Sequence, residues 1–140
     1  MDNYIIRKLN INDYNNFLIL INEFRQSSFT NNEFKNILEK ININSDIWVI
    51  EINNELIGTA TILYEYKYIY NICILAHIED VCIKKNYRDK GYGKILINKL
   101  FEEAKLKECY KITLDCSDEN INFYVKCNFQ KRGNQMSYLF

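Results

Sequence analysis

The residues with the clearest chemical potential follow one another in the second half of the chain. A strand-like run containing Glu79 and Asp80 ends at Ile83, and a basic loop then leads to Gly91 and Gly93. The chain has only four glycines, so a pair at this spacing indicates that the backbone requires them. Glycines at the start of a helix leave backbone N–H groups open to an anion, which the helix dipole also attracts. The segment therefore predicts a turn that binds phosphate or pyrophosphate.

Two other phosphate-binding patterns do not fit this turn. The Walker pattern requires Gly-Lys-Ser or Gly-Lys-Thr, and the dinucleotide fingerprint requires a third glycine in an early βαβ unit. A glycine pair that only begins a helix is the structural alternative. The formal net charge is +0, so the molecule as a whole does not attract anions. Binding would depend on the local geometry of the turn and on Arg88 and Lys90.

The elements that must position this turn alternate along the chain. Strands are predicted at residues 5–9, 47–52, 55–63, 77–83 and 110–116, with a terminal strand or two within 129–140. Helices are predicted from a cap at Asn12 or Asp13 to Phe24, from a Thr30–Glu33 capping box through Leu38, and over 91–107 and 120–126. This order predicts one α/β domain over residues 1–140, with a mixed central sheet flanked by helices.

Composition limits the compartment, the partners and the cofactors. No run approaches the ~20 apolar residues of a membrane span, and the N-terminal sequence lacks the pattern of a secretory signal. The five cysteines lack C-x-x-C spacing, and His77 is the single histidine. We therefore expect reduced thiols in the cytoplasm and no metal. The balanced charge predicts neither a nucleic-acid nor a membrane partner.

The turn and three further blocks resemble known families. Residues 88–93, RDKGYG, resemble the Q/R-x-x-G-x-G/A signature with which GNAT acetyltransferases bind the pyrophosphate of acetyl-CoA. The predicted element order also matches that fold along the full chain. Residues 77–81 (HIEDV), 109–116 (CYKITLDC) and 120–124 (NINFY) are similar to the glucosamine-6-phosphate N-acetyltransferases. This closer similarity extends from Lys67 to Met136 and is thin before Lys67.

The resemblance implies an acetyl-CoA site. The strand residues Val81, Cys82 and Ile83 would pair with the pantetheine arm, and the backbone N–H of Val81 would polarise the thioester carbonyl. Asn120 and Tyr124 would also contact the coenzyme. The pyrophosphate would lie on the turn formed by Arg88, Asp89, Lys90, Gly91, Tyr92 and Gly93. No covalent enzyme intermediate is implied, because the amine attacks the thioester directly.

The resemblance also implies residues for catalysis and for the acceptor. Tyr124 would protonate the departing coenzyme sulfur. The structural alternative is that Phe123 and Tyr124 are both aromatic residues of the core. The main-chain carbonyl of Asp115 would orient the amine. Glu79 and Asp80 should project to opposite faces of their strand. One of them would accept a proton or bind the sugar, and the sequence leaves the choice between the two open. Substrate contacts are further assigned to Lys67, Tyr70, Tyr110 and Lys111.

Several features leave the acceptor open. The related enzymes place a histidine where this chain has Tyr70 and an arginine after Met136, and the last residues here contain no basic side chain. Arg25 and Arg132 are possible substitutes. The alternative acceptors are another small amine and a protein N-terminus. The alternative function is a non-catalytic acyl-CoA-binding module. The resemblance implies a twofold homodimer that uses the C-terminal strand. His77 is expected to be structural more often than catalytic.

Overall fold

A computed structural model describes residues 3–140. The strands are β1 (Ile5–Lys8), β2 (Ser45–Ile52), β3 (Glu55–Lys67), β4 (Cys73–Ile83) and β5 (Lys111–Leu114). The helices are α1 (Tyr14–Phe24), α2 (Asn31–Ile41), α3 (Tyr92–Leu106) and α4 (Ile121–Lys126). Short 3₁₀ turns lie at Lys85–Tyr87 and Asp118–Asn120.

The strands form one sheet in the order β1-β2-β3-β4-β5. The first four strands pair antiparallel, and β5 pairs parallel to β4 after the crossover through α3. The sheet is therefore mixed, with helices on both faces, which confirms the predicted fold class.

Two apolar cores hold the helices against the sheet. On one face, Leu96, Ile97 and Leu100 of α3 are fully buried against sheet residues such as Ile62 and Ile78. On the other face, Leu20 of α1 and Phe34 and Leu38 of α2 pack against Val49 and Leu56. Each helix covers the sheet with the apolar side that its sequence periodicity predicts.

Local sequence signals account for several boundaries. Asn53 and Asn54 adopt positive φ angles of 49° and 63°, so they form the two-residue turn that joins β2 to β3. The hydroxyl of Thr30 accepts a hydrogen bond from the Glu33 backbone N–H, and the Glu33 carboxylate accepts one from the Thr30 N–H. The predicted capping box at the start of α2 is confirmed.

The cap position predicted for α1 is confirmed at Asp13, but the side chain does not act as a cap. Asp13 occupies the N-cap position, but its side chain makes no capping hydrogen bond. Its carboxylate instead accepts hydrogen bonds from both terminal nitrogens of Arg7 at 2.8 Å and from the backbone N–H of Asn10. A buried carboxylate beside an arginine on β1 gains more from this ion pair than from a neutral amide.

The terminal strand predicted within residues 129–140 is wrong for the described chain. No strand is present beyond β5, and residues 130–140 are exposed. A strand requires a neighbour for its backbone hydrogen bonds, and this segment has none within residues 3–140. β3 and β4 are each four residues longer than predicted, so Lys67 ends β3 and does not lie in a loop.

Candidate active site

A cleft opens where β4 and β5 part. β5 pairs with β4 only from Leu75 to Ile78, and its last residue, Leu114, lies opposite Ile78. β4 then continues to Ile83 while pairing with β3 on its other side. Between Glu79 and Ile83, no described strand occupies the β5 side of β4. This open edge can accept backbone-like amide groups of a ligand as an added strand would.

A β-bulge lies at the start of the open edge. Thr61 pairs with Glu79 and Thr59 pairs with Cys82, so Asp80 and Val81 together face the single residue Ala60. Asp80 has a φ of 52°, a left-handed conformation that non-glycine residues adopt rarely. Bulges of this kind re-aim backbone and side chains near functional sites.

The bulge changes the expected alternation of side chains. Glu79 and Asp80 were predicted to project to opposite faces of a regular strand, but the bulge begins between them and both are exposed. After the bulge, Cys82 is buried in the α1–α2 core, whereas Val81 packs against the α3 core. The side chain of Cys82 therefore faces away from the cleft, and only its backbone can contact a ligand there.

The predicted phosphate turn lies at the end of β4. Gly91 has a φ of 87° and occupies the N-cap position of α3, so this glycine supplies a conformation that L-residues avoid. The start of α3 directs its backbone N–H groups out of the turn, as an anion site requires. Asp89 also has a positive φ, of 59°, whereas the Tyr92 side chain is buried in the core.

Hydrogen bonds attach this turn to the sheet. The buried ammonium of Lys84 donates to Glu55 at 2.7 Å, and the Tyr87 hydroxyl donates to the other oxygen of the same carboxylate at 3.0 Å. The bond from Lys84 lowers the pKa of Glu55 below its usual range. Arg88 Nε donates to the Ile83 carbonyl, and Lys90 lies over the Tyr87 ring. The turn is thus held firmly against β3 and β4.

Tyr124 lies on α4 among aromatic side chains. Its ring contacts Phe123 with a centroid distance of 4.9 Å and Phe129 at 5.8 Å. Burial, together with the nearby Cys116 and Cys127 thiols, raises the pKa of Tyr124 to about 12. Within residues 3–140, its hydroxyl has no hydrogen-bond partner. The phenol is therefore protonated at neutral pH and free to donate to a ligand.

Carboxylates gather on the β4 side of the cleft. Glu79 is exposed as a residue, but partial desolvation of its carboxyl group and the negative charges of Asp80 and Asp115 raise its pKa. Asp115 directly follows β5, and its carboxylate accepts a hydrogen bond from Gln135 at 3.4 Å. A carboxylate with a raised pKa is suited to accept a proton near neutral pH.

A second polar group extends along the same face of the sheet. Glu65 accepts hydrogen bonds from Lys67 at 2.6 Å and from His77 Nε2 at 2.8 Å. The other ring nitrogen, Nδ1, therefore accepts from the Thr113 hydroxyl at 3.0 Å if the ring is neutral. Both nitrogens of His77 are occupied, which supports its structural interpretation.

The predicted acceptor residues consequently fall into two groups. Glu79, Asp80 and Asp115 lie beside the cleft. The second group lies at the other end of β4 and β5, where the Tyr70 and Tyr110 rings are 5.5 Å apart and Lys111 lies over Tyr110. Lys67 pairs with Cys73, six residues before Glu79, so about 20 Å of strand separates the two backbones.

Two interactions in this region were not predicted from the sequence. The first is the ion pair of Glu65 and Lys67, which are two residues apart on β3, so strand alternation could have placed them on one face. The second is the hydrogen bond from His77 to Glu65, which depends on how β3 pairs with β4 and could not be read from the sequence. The exposed Asn120 bonds to Ser117 immediately before α4. Its predicted contact with a coenzyme stays a prediction.

A cavity elsewhere in the molecule lacks the chemistry of a catalytic site. It has a volume of about 170 Å³ and lies between α1, α2 and the sheet, with almost entirely apolar walls. Its one charged lining residue, Glu33, belongs to the capping box. Within residues 3–140, no three His, Cys, Asp or Glu side chains are grouped to hold a metal ion, and no helix is long and apolar enough to cross a membrane.

Comparison with known proteins identifies the family. Residues 14–129 match the model of the acetyltransferase (GNAT) family. The chain belongs to the GNAT family. Among curated GNAT relatives, it is 32% identical to glucosamine 6-phosphate N-acetyltransferase 1 of Dictyostelium discoideum, over 97% of this chain and 90% of that protein. It is 30% identical to the Candida albicans glucosamine 6-phosphate N-acetyltransferase, over 95% of this chain and 93% of that protein.

A solved GNAT structure agrees with the whole fold. The crystal structure of glucosamine-6-phosphate N-acetyltransferase from Arabidopsis thaliana superposes with a TM-score of 0.94 at 34% identity, and the match covers 99% of each chain. An acetyltransferase from Trypanosoma brucei superposes with a TM-score of 0.93 at 27% identity. GNAT enzymes use acetyl-CoA as co-substrate, and this chain is an enzyme of that type.

The residues present fit acetyl-CoA. The open edge of β4 offers backbone groups to the pantetheine amides, and Gly91 begins a helix whose N–H groups can hold a pyrophosphate. Acetyl-CoA, when bound, supplies the activated acyl thioester. Acyl transfer to an amine requires one group that accepts a proton and one that donates a proton. The Glu79 carboxylate is able to accept, and the Tyr124 hydroxyl is able to donate.

Proposed function

We propose that this GNAT enzyme transfers the acetyl group of acetyl-CoA to the amine of glucosamine 6-phosphate. The parting of β4 and β5, with carboxylates beside the cleft and Tyr124 packed on the same core as Val81, carries the proposal of direct transfer in a ternary complex. The names of the relatives that match nearly the whole chain support the acceptor. The product would serve the synthesis of UDP-N-acetylglucosamine in the cytoplasm, and the five free cysteines suit a reducing compartment.

The proposed reaction is a single displacement at the acyl carbon. The acceptor nitrogen forms a bond to that carbon while the carbon–sulfur bond breaks. The backbone N–H of Val81 stabilises the charge that develops on the carbonyl oxygen. Glu79 accepts the proton that the amine loses, directly or through water, and Tyr124 donates a proton to the coenzyme sulfur.

Positioning supplies most of the proposed rate enhancement. The Asp115 main-chain carbonyl accepts a hydrogen bond from the amine and directs its lone pair toward the thioester. Holding two reactants in such an arrangement converts a bimolecular step into one that is effectively unimolecular. Asn120 and the turn residues Arg88, Lys90 and Gly93 keep the coenzyme in place. Asp80 maintains the bulge and the charge around Glu79.

Phosphate recognition is assigned to the predicted acceptor residues that lie away from the cleft, at the other end of β4 and β5. Lys67, Tyr70, Tyr110 and Lys111 offer two ammonium groups and two phenols at the end of the sheet where β3 turns into β4 and β5 begins. The distance of this group from Glu79 favours a site assembled from two subunits, in which these residues act on the partner's acceptor as well as or instead of their own. A homodimer would allow that arrangement.

The C-terminal residues support the homodimer. Met136, Tyr138 and Leu139 are 90%, 81% and 89% exposed. Residues 129–140 form no strand within the described chain, so their backbone groups and apolar side chains are available to a second subunit. We propose a twofold-symmetric dimer in which this segment crosses to the partner. Light scattering at micromolar concentration should give twice the chain mass, and a monomer would contradict the dimer.

One assay tests the acceptor. Release of coenzyme A thiol from acetyl-CoA is measured with glucosamine 6-phosphate, glucosamine and spermidine. We expect the highest kcat/KM with glucosamine 6-phosphate. Equal kcat/KM for both sugars would remove the sugar phosphate from the proposal. Binding of acetyl-CoA without turnover on any amine would favour a non-catalytic acyl-CoA-binding module.

A cationic amine is the second candidate acceptor. Glu79, Asp80 and Asp115 place three carboxylates near the cleft, and Glu65 already neutralises Lys67. This charge distribution suits a polyamine better than a phosphate. Spermidine is included in the assay for this reason.

A further inference from the structure

Gly93 lies in the phosphate turn, but its nearest neighbour belongs to the helix that contains Tyr124. A β-carbon added to Gly93 would lie 3.0 Å from Cζ of Phe123 and 3.2 Å from its Cε2. These separations are shorter than ordinary van der Waals contact, so the glycine is required for the ring to lie where it does. Gly93 has no positive φ, so this requirement concerns space and not backbone conformation.

The contact continues on both sides. The Ile83 side chain at the end of β4 would lie 3.8 Å from the same added carbon, and Ile83 itself packs on Gly58 of β3. On the other side, the Phe123 ring packs edge-on against Tyr124 with a centroid distance of 4.9 Å. The end of β4, the phosphate turn and the proposed acid are therefore joined by direct packing.

α4 is held partly by the residue that follows it, since Cys127 directly after the helix is buried in the α3 core. α4 itself is six residues long, and none of its residues is fully buried. Tyr124 packs on Phe129, which packs on Phe101 of α3. Phe123 on Gly93 is thus a contact that places α4 directly against the start of α3.

We infer that Phe123 is a positioning residue, which uses the space above Gly93 to aim the Tyr124 hydroxyl at the coenzyme sulfur. This inference rests on the proposed role of Tyr124. It assigns to Gly93 a function in catalytic geometry in addition to the approach of the pyrophosphate. A general acid must lie within hydrogen-bond reach of its target, so a small displacement of α4 lowers the rate before it affects the fold.

The test is a set of variants that changes the size of each partner. Gly93→Ala adds one methyl group and should lower kcat about three- to tenfold, because a shift of a few tenths of an ångström misplaces the acid. Phe123→Leu shortens the side chain that the methyl group meets. The double variant should recover at least half of the kcat that Gly93→Ala loses. Calorimetry with acetyl-CoA measures separately how far the added methyl group weakens coenzyme binding, and the kcat values are compared at saturating acetyl-CoA.

The Tyr124→Phe background separates positioning from stability. There the acid is already missing, so Gly93→Ala should lower kcat by less than about twofold. Melting temperatures establish that each variant is folded. If Gly93→Ala itself does not fold, Phe123→Leu alone serves as the probe, and it must lower kcat in the wild-type background and not in Tyr124→Phe.

Other results would overturn the inference. One is an unchanged kcat in folded Gly93→Ala. A second is a kcat of the double variant that equals the product of the two single effects. A third is an equal loss of kcat from Gly93→Ala in the wild-type and Tyr124→Phe backgrounds. A loss of acetyl-CoA affinity that Phe123→Leu does not restore would assign Gly93 to the phosphate alone. An unchanged kcat in Tyr124→Phe would instead contradict the proposed function, so the two failures are distinguishable.

Discussion

The ammonium of Lys67 lies 2.6 Å from a carboxylate oxygen of Glu65, near the end of β3. This hydrogen bond raises the pKa of Lys67 above its usual range. The cation proposed to bind a substrate phosphate is therefore already paired, and a phosphate must compete with Glu65 for it. The strength of phosphate recognition then depends on both residues.

Lys67→Ala should raise KM for glucosamine 6-phosphate about tenfold or more, because it removes a charge-assisted hydrogen bond to the phosphate. It should leave KM for acetyl-CoA unchanged and remove most of the preference over glucosamine. Lys99→Ala is the matched control, since Lys99 forms a similar ion pair with Glu103 at 2.7 Å on α3. Equal losses on both sugars would show that Lys67 only supports the sheet.

Glu65→Gln should have the opposite effect on KM. Removing the negative charge releases Lys67 for the phosphate, and an exposed ion pair of this kind is weak enough for the effect to be small. We expect KM for glucosamine 6-phosphate to fall about two- to fivefold, with KM for glucosamine unchanged. An increase in KM for the phosphorylated sugar would indicate that Glu65 contacts the substrate itself.

Tyr124→Phe should lower kcat by about 10²-fold or less, at the weak end of general-acid assistance, because a thiolate leaves readily. Acetyl-CoA affinity should hardly change. A general acid loses its proton as the pH rises through its pKa. Since the pKa of Tyr124 is about 12, this residue should cause no loss of rate at ordinary alkaline pH. Tyr66→Phe, on an exposed ring of β3, is the control.

Glu79→Gln should remove the acidic limb of the pH profile of kcat/KM. A proton acceptor must be ionised, so the rate falls as the pH drops through the pKa of Glu79. Partial desolvation and the charges of Asp80 and Asp115 raise that pKa, so the limb should lie above the usual range of a glutamate. A profile that keeps the same limb in Glu79→Gln would exclude Glu79 as the proton acceptor.

Gly91→Ala should weaken acetyl-CoA binding about tenfold and also reduce stability. An alanine at a φ of 87° is strained by roughly 1–2 kcal/mol, and relief of the strain moves the start of α3. Gly133→Ala is a matched control, because Gly133 also has a positive φ, of 64°, and an added β-carbon there meets nothing within 4 Å. Calorimetry should detect weaker acetyl-CoA binding only in Gly91→Ala. Similar affinities in the two variants would contradict a phosphate site at this turn.

Much of the fold was predictable because its signals are local. The asparagine turn between β2 and β3, the Thr30–Glu33 capping box and the apolar side of α3 each depend on residues a few positions apart. The phosphate turn belongs to the same class, since Gly91 is needed for a backbone angle at its own position. The sequence by itself therefore determined most of the elements, the fold class and the family.

Tertiary structure decided how the functional groups meet. The bulge at Asp80, the ion pair and hydrogen bonds of Glu65, and the space that Gly93 leaves for Phe123 all depend on strand register or on packing between distant elements. The missing terminal strand has the same origin, because a strand exists only where another backbone pairs with it. Local sequence specifies the conformation of each segment, whereas contacts between segments far apart in the chain specify the site.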